Sequence, residues 1–69
     1  MPKLPVLRPR EVVSGLERLG FSIVRQKGSH VQMKNGNLLV TVPMHGGTVA
    51  KGTLKSILRQ AKINVEELL

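Results

Sequence analysis

Asn35-Gly36, set between two alternating apolar segments, constrains this chain more than any other pair of residues. A two-residue type I′ turn needs positive φ at both central positions, and asparagine and glycine tolerate it. A hairpin centred there pairs Lys34 with Asn37, Gln32 with Leu39 and His30 with Thr41 on one face. The other face carries Met33 with Leu38, Val31 with Val40 and Ser29 with Val42. One face is apolar and the other mostly polar, the pattern of a half-buried antiparallel sheet. His30 falls on the open side, where a reactive group can meet a large substrate.

The residues before the hairpin supply a helix and a further strand. Pro9 suits the first turn of a helix, where its missing N–H is harmless. Val12, Val13, Leu16 and Leu19 follow at helical spacing, and Gly20 is a natural stop. Gly15 inside that helix lowers its propensity, which points to close packing against another element. Phe21 to Gln26 is rich in strand formers, ahead of a turn candidate at Lys27-Gly28. A plain two-residue turn there sets Arg25 opposite His30 and places Val24 in the core. A longer or bulged loop reverses the parity and buries Phe21 and Ile23, and the residues alone leave both arrangements open.

Pro43 ends the third strand by removing a ladder donor, and a glycine-punctuated connection over 44–52 carries His45 and Lys51. Thr53 is an expected N-cap for a second helix whose apolar stripe is Leu54, Ile57, Leu58 and Ala61. Lys55, Arg59 and Lys62 occupy another face of that helix. Asn64 to Glu67 reads as a capping box opening a short terminal turn that packs Val65, Leu68 and Leu69 onto the domain. The expected architecture is α+β, α-β-β-β-α: a three-stranded antiparallel sheet with both helices on one face, the layout of the double-stranded-RNA-binding fold. Residues 1–69 are expected to form one domain, with 1–7 as an extended lead-in.

Charge narrows the partners. Lys and Arg number 11 against 4 Asp and Glu, a formal net charge of +7, which favours polyanions. Phe21 is the single aromatic residue, so base stacking on an aromatic platform is excluded, while phosphate and shape contacts stay available. A DNA-reading helix-turn-helix is disfavoured because the whole sheet separates the two helices. No apolar run spans a membrane and no basic-then-apolar leader opens the chain, so a cytoplasmic protein without membrane contact is expected. Cysteine is absent, which removes disulfides and thiolate metal sites.

Chemistry follows by elimination. Metal-dependent phosphodiester cleavage needs converging carboxylates, and the four acids are Glu11 and Glu17 on one helix and Glu66 and Glu67 near the C-terminus. A Ser-His-Asp triad fails for want of any Asp, and two histidines lack a third zinc ligand. Neither a metal nor a small-molecule cofactor is expected. What survives is proton transfer by histidine, the side-chain type whose ordinary pKa lies near neutrality. RNA makes it feasible, because its 2′-hydroxyl is an internal nucleophile that one imidazole can activate while lysine or arginine steadies the phosphate. The competing reading is a non-catalytic double-stranded-RNA-binding module that uses Lys51, Lys55 and Arg59.

Three ordered blocks resemble a known family. Gly28-Ser29-His30, then Val42-Pro43-Met44-His45, then Lys51-Gly52-Thr53-Leu54-Lys55-Ser56-Ile57-Leu58-Arg59-Gln60-Ala61 resemble the HicA (YcfA-like) toxins, prokaryotic mRNA interferases. The resemblance runs from about Pro9 to Leu69. It implies an endoribonuclease toxin acting on mRNA, with His30 at the catalytic position and His45 in the family's proline-x-histidine segment. It also implies a HicB-type antitoxin partner that occludes the active site. Gly28, Ser29, Arg25, Lys27, His45, Lys51, Lys55 and Arg59 are the further candidates for the site or for RNA contact.

Overall fold

A computed structural model describes residues 4–69; Met1 to Lys3, the start of the expected lead-in, lie outside the described residues. The chain runs α1 (Pro9–Arg18), β1 (Ser22–Lys27), β2 (His30–Asn35), β3 (Leu38–Pro43), α2 (Lys51–Ala61) and α3 (Val65–Leu68). The three strands form one antiparallel sheet in the order β1-β2-β3. The α+β class and the α-β-β-β-α order are those expected from the sequence.

Helix α1 begins at Pro9, with the Arg8 backbone N–H donating to the Glu11 carboxylate at 2.8 Å. At the other end Phe21 N–H reaches the Leu16 carbonyl at 3.0 Å and Gly20 N–H the Glu17 carbonyl at 3.1 Å. Those two bonds are a Schellman closure, and they require the left-handed φ of +102° that Gly20 adopts. The same closure turns Phe21 into the core before β1 starts.

The central hairpin differs from the sequence expectation in register. Asn35 pairs with Leu38, Lys34 with Leu39, Gln32 with Thr41 and His30 with Pro43, so the turn is Gly36-Asn37 rather than Asn35-Gly36. Gly36 has φ +61° and Asn37 is not in the left-handed region, the signature of a type II′ turn with glycine first. Asn35 is thereby released to the ladder, and its side-chain amide donates to the Leu19 carbonyl at 3.4 Å. Pairing slides by two positions, an even number, so each residue keeps its face.

The first hairpin turns at Gly28-Ser29, not Lys27-Gly28, with Gly28 at φ +58°. Lys27 therefore faces His30, and Arg25 pairs with Gln32 instead of His30. Beyond that pair the register shifts between Ile23 and Arg25, leaving Val24 as an extra bulged residue. The bulge settles the parity left open by sequence. Phe21 is buried, Ile23 comes opposite Met33 but stays 48% exposed on the edge strand, and Val24 is 55% exposed and not in the core.

Val31, Met33, Val40 and Val42 form the buried face of the sheet. Val12, Val13 and Leu16 of α1 and Leu54, Ile57 and Ala61 of α2 pack against it in one cluster, so both helices cover the same side. Burying a side chain such as Leu16, Met33, Leu54 or Ile57 contributes about 1.5–3 kcal/mol. The segment before α1 also belongs to the fold, since Leu7 is buried and its carbonyl accepts the Val49 N–H at 2.7 Å. At the sheet's outer edge the Gln60 side chain accepts the Thr41 N–H at 3.3 Å. Pro43, two residues on, turns its nitrogen to that same edge, so it does not remove a ladder donor as the sequence led us to expect, and the Met44 N–H still reaches the Ser29 carbonyl beyond it.

Helix α2 starts at Lys51 with Ala50 as N-cap, three residues before the expected cap at Thr53, which sits half-buried inside the helix. It ends at Lys62 in the left-handed region, φ 55°, with Ile63 N–H on the Leu58 carbonyl at 3.1 Å. The capping box at α3 is formed, Asn64 N–H donating to the Glu67 carboxylate at 2.8 Å. Leu68 is buried while Leu69 is 65% exposed, so the terminal residue does not join the core as expected. Arg18 holds this end by donating to the Leu68 and Leu69 carbonyls at 2.8 and 3.2 Å. Gly15 is the close-packing position: a Cβ there would lie 2.5 Å from the Leu68 carbonyl oxygen.

Candidate functional site

The end of the sheet that carries the Gly28-Ser29 turn gathers most of the candidate residues. In an antiparallel ladder, directly paired residues project from the same face about 4.5–5.5 Å apart between Cα atoms. The first row of the open face is thus Lys27, His30 and Pro43, and the second is Arg25, Gln32 and Thr41. Five of these, Lys27, His30, Arg25, Gln32 and Thr41, line a shallow open depression of about 590 Å³ together with Gly28 and Ser29 at the turn. His30 is exposed within it, on the face that its alternation with Val31 dictates.

Charge in this depression is one-sided. Arg25 and Lys27 bring two cations beside the imidazole, and no carboxylate lines it. The reason is in the sequence, where no acid occurs between Glu17 and Glu66. All four acids consequently sit on α1 and α3, in the helical layer behind the sheet. Glu11 and Glu67 are engaged there in helix capping. Among the described residues no group of three or more His, Cys, Asp or Glu side chains converges as a metal set.

His45 is not brought together with His30. It lies on the loop after β3 and lines a different depression, with Arg8 and Arg10 from the start of α1. Its Nδ1–H donates to the Gly46 carbonyl at 2.8 Å. Ser29, expected on the buried-face parity, instead occupies the turn and is exposed, and its carbonyl accepts the Met44 N–H at 2.5 Å. That bond ties the turn beside His30 to the loop that carries His45.

Lys51, Lys55 and Arg59 are exposed on α2 and belong to the helical layer, on the opposite side of the molecule from the open sheet face. Gln32 and Thr41, which the sequence placed on the open face without marking them as site residues, join the depression as the row next to His30. The Lys27–His30 pairing had no signal in the sequence, because it depends on where the first turn falls.

A small α+β domain that presents an exposed imidazole among cations, on a sheet face without acids, is the class that this fold and site define. The chain belongs to the HicA toxin family of bacterial toxin–antitoxin systems, whose model matches residues 9–63. No curated protein matches the chain. Membership implies an antitoxin partner. No helix among the described residues is long and apolar enough to cross a membrane.

Proposed function

We propose that this toxin is a metal-independent endoribonuclease acting on mRNA in the cytoplasm, with His30 as its catalytic general base and acid. The observation that carries this reading is the position of His30: exposed on the open sheet face, opposite Lys27 and one row from Arg25, in a depression without carboxylates. Substrate phosphate rests against Lys27 and Arg25. His30 takes the proton of the neighbouring 2′-hydroxyl, O2′ attacks phosphorus, and the P–O5′ bond breaks. The products are a 2′,3′-cyclic phosphate and a 5′-hydroxyl, the departing O5′ taking a proton from the imidazolium or from water. The two cations oppose the charge that builds on the non-bridging oxygens, the usual electrostatic contribution in such sites. Gly28 and Ser29 hold the turn that fixes Lys27 opposite His30.

The partner in this reading is a HicB-type antitoxin covering the open face around His30. Lys51, Lys55 and Arg59, on the other layer, attract RNA electrostatically without touching the scissile phosphate. A non-catalytic double-stranded-RNA-binding module would use that α2 stripe but gives no role to His30 among its cations.

Expression in a bacterial host tests the proposal. The wild type should arrest growth with loss of full-length mRNA, and His30→Ala should do neither while accumulating as folded protein. Undiminished mRNA decay with the variant would remove His30 from the mechanism.

A further inference from the structure

The second depression, about 760 Å³ and larger than the one around His30, has no part in the chemistry above. Its walls come from the start of α1 and the loop after β3. That loop is held at both ends, by Met44 N–H on the Ser29 carbonyl and by Val49 N–H on the Leu7 carbonyl. Arg8 and Arg10 supply positive charge. The one acid present, Glu11, is engaged by the Arg8 backbone N–H at 2.8 Å. The loop backbone is bare, since a Cβ at Gly46 or Gly47 would meet nothing within 4 Å.

His45 gives this hollow a defined polarity. A carbonyl oxygen can only accept, so the bond from Nδ1 to the Gly46 oxygen places the proton on Nδ1. Nε2 of the neutral ring is then an acceptor, and among the described residues it has no hydrogen-bond partner. An acceptor set beside guanidinium groups matches a ligand that offers a hydroxyl donor next to an anion. A ribonucleotide does so within one unit, through its 2′-hydroxyl and its adjoining 3′-phosphate, and the 2′-hydroxyl is what separates RNA from DNA.

We infer that this depression is a second ribonucleotide subsite, which holds a non-scissile nucleotide by its phosphate on Arg8 and Arg10 and by its 2′-hydroxyl on His45 Nε2. The inference rests on the RNA reading above and extends it. Pro43 stands opposite His30, and His45 lies two residues further on, so the two Cα atoms are at most about 12 Å apart. On this inference one RNA strand passes round this end of the sheet and into both depressions, which share no lining residue. His45 in this arrangement binds and discriminates, and takes no proton from the scissile nucleotide.

Single 2′-deoxy substitutions walked along a short RNA substrate test it, with KM and kcat measured for the wild type, His45→Ala, His45→Asn and Arg10→Gln. Asparagine keeps a short donor for the Gly46 carbonyl but lacks the outer acceptor, which guards against a simple loop defect in the alanine variant. The wild type should show two sensitive positions: the scissile one, where deoxyribose abolishes cleavage, and a neighbour, where it raises KM about three- to tenfold with kcat unchanged. In His45→Asn the neighbouring effect should vanish while the scissile effect stays. Arg10→Gln should raise KM on every RNA. A wild type with only the scissile position sensitive, a neighbouring effect that persists in both His45 variants, or one that follows the base instead of the ribose would overturn the subsite and leave the proposed nuclease intact. A wild type that cuts no RNA would overturn both.

Discussion

His30 owes its exposure to parity alone. The turn lies one residue later than Asn35-Gly36, which slides the pairing by two, and an even slide moves no side chain across the sheet. The open-face position of this histidine was therefore legible in the sequence, whereas its neighbour was not. Whether Arg25 or Lys27 faces His30 depends on which residues make the first turn and on the Val24 bulge, and Lys27-Gly28-Ser29 is compatible with more than one turn. Because the imidazole is exposed and packs on nothing in the core, His30→Ala should change stability by no more than about 0.5 kcal/mol in urea unfolding. A loss of several times that size would mean that the side chain supports the fold. Gly15 is the opposite case. Its missing Cβ admits the backbone of Leu68, so Gly15→Ala should destabilise by about 1–3 kcal/mol and loosen α3. An unchanged urea midpoint would show that α3 contributes nothing at that contact.

At the scale of elements, helices α1 and α2 and the three strands follow from apolar periodicity and from Pro9 and Gly20. The deviations lie where two local solutions are close in energy. Thr53 is a better N-cap than Ala50, yet α2 starts at Lys51, which extends the helix by a turn and brings Lys51 into line with Lys55 and Arg59. Lys62 closes α2 in a left-handed conformation that costs a non-glycine residue about 1–2 kcal/mol, and no sequence signal marks it. Lys62→Gly should consequently stabilise the protein by up to about 1 kcal/mol after the extra chain entropy of glycine is counted. A lower urea midpoint for that variant would contradict the closure. The α2 stripe makes a separate prediction: Lys55→Glu with Arg59→Glu should weaken RNA binding and lower the salt slope by about 1 per lost phosphate contact, with kcat retained. An unchanged slope would confine these residues to solvation.

Over the whole molecule, cations lie in both layers but negative charge in only one. Every acid lies on α1 or α3, and the open sheet face holds cations, a histidine and no carboxylate. The sequence disclosed this asymmetry, since the 22–43 segment has no acid, but only the two hairpin registers gather Arg25, Lys27 and His30 into one depression. A surface of that kind invites an antitoxin with complementary charge, which would associate quickly and exclude RNA physically. The complex should melt at a higher temperature than the toxin alone, because the partner binds only the folded state. It should also protect His30 from diethylpyrocarbonate. A stable complex in which His30 reacts freely would rule out inhibition by covering the site.

The central claim is that one exposed imidazole, without a metal, makes the 2′-hydroxyl of RNA attack its own phosphate. Mass analysis of the RNA fragments released in excess EDTA tests it most directly. The account predicts undiminished cleavage by the wild type, with every upstream fragment ending in a 2′,3′-cyclic phosphate, and no fragments from His30→Ala. Cleavage that stops in EDTA and returns with magnesium, or upstream fragments ending in a free 3′-hydroxyl, would contradict it.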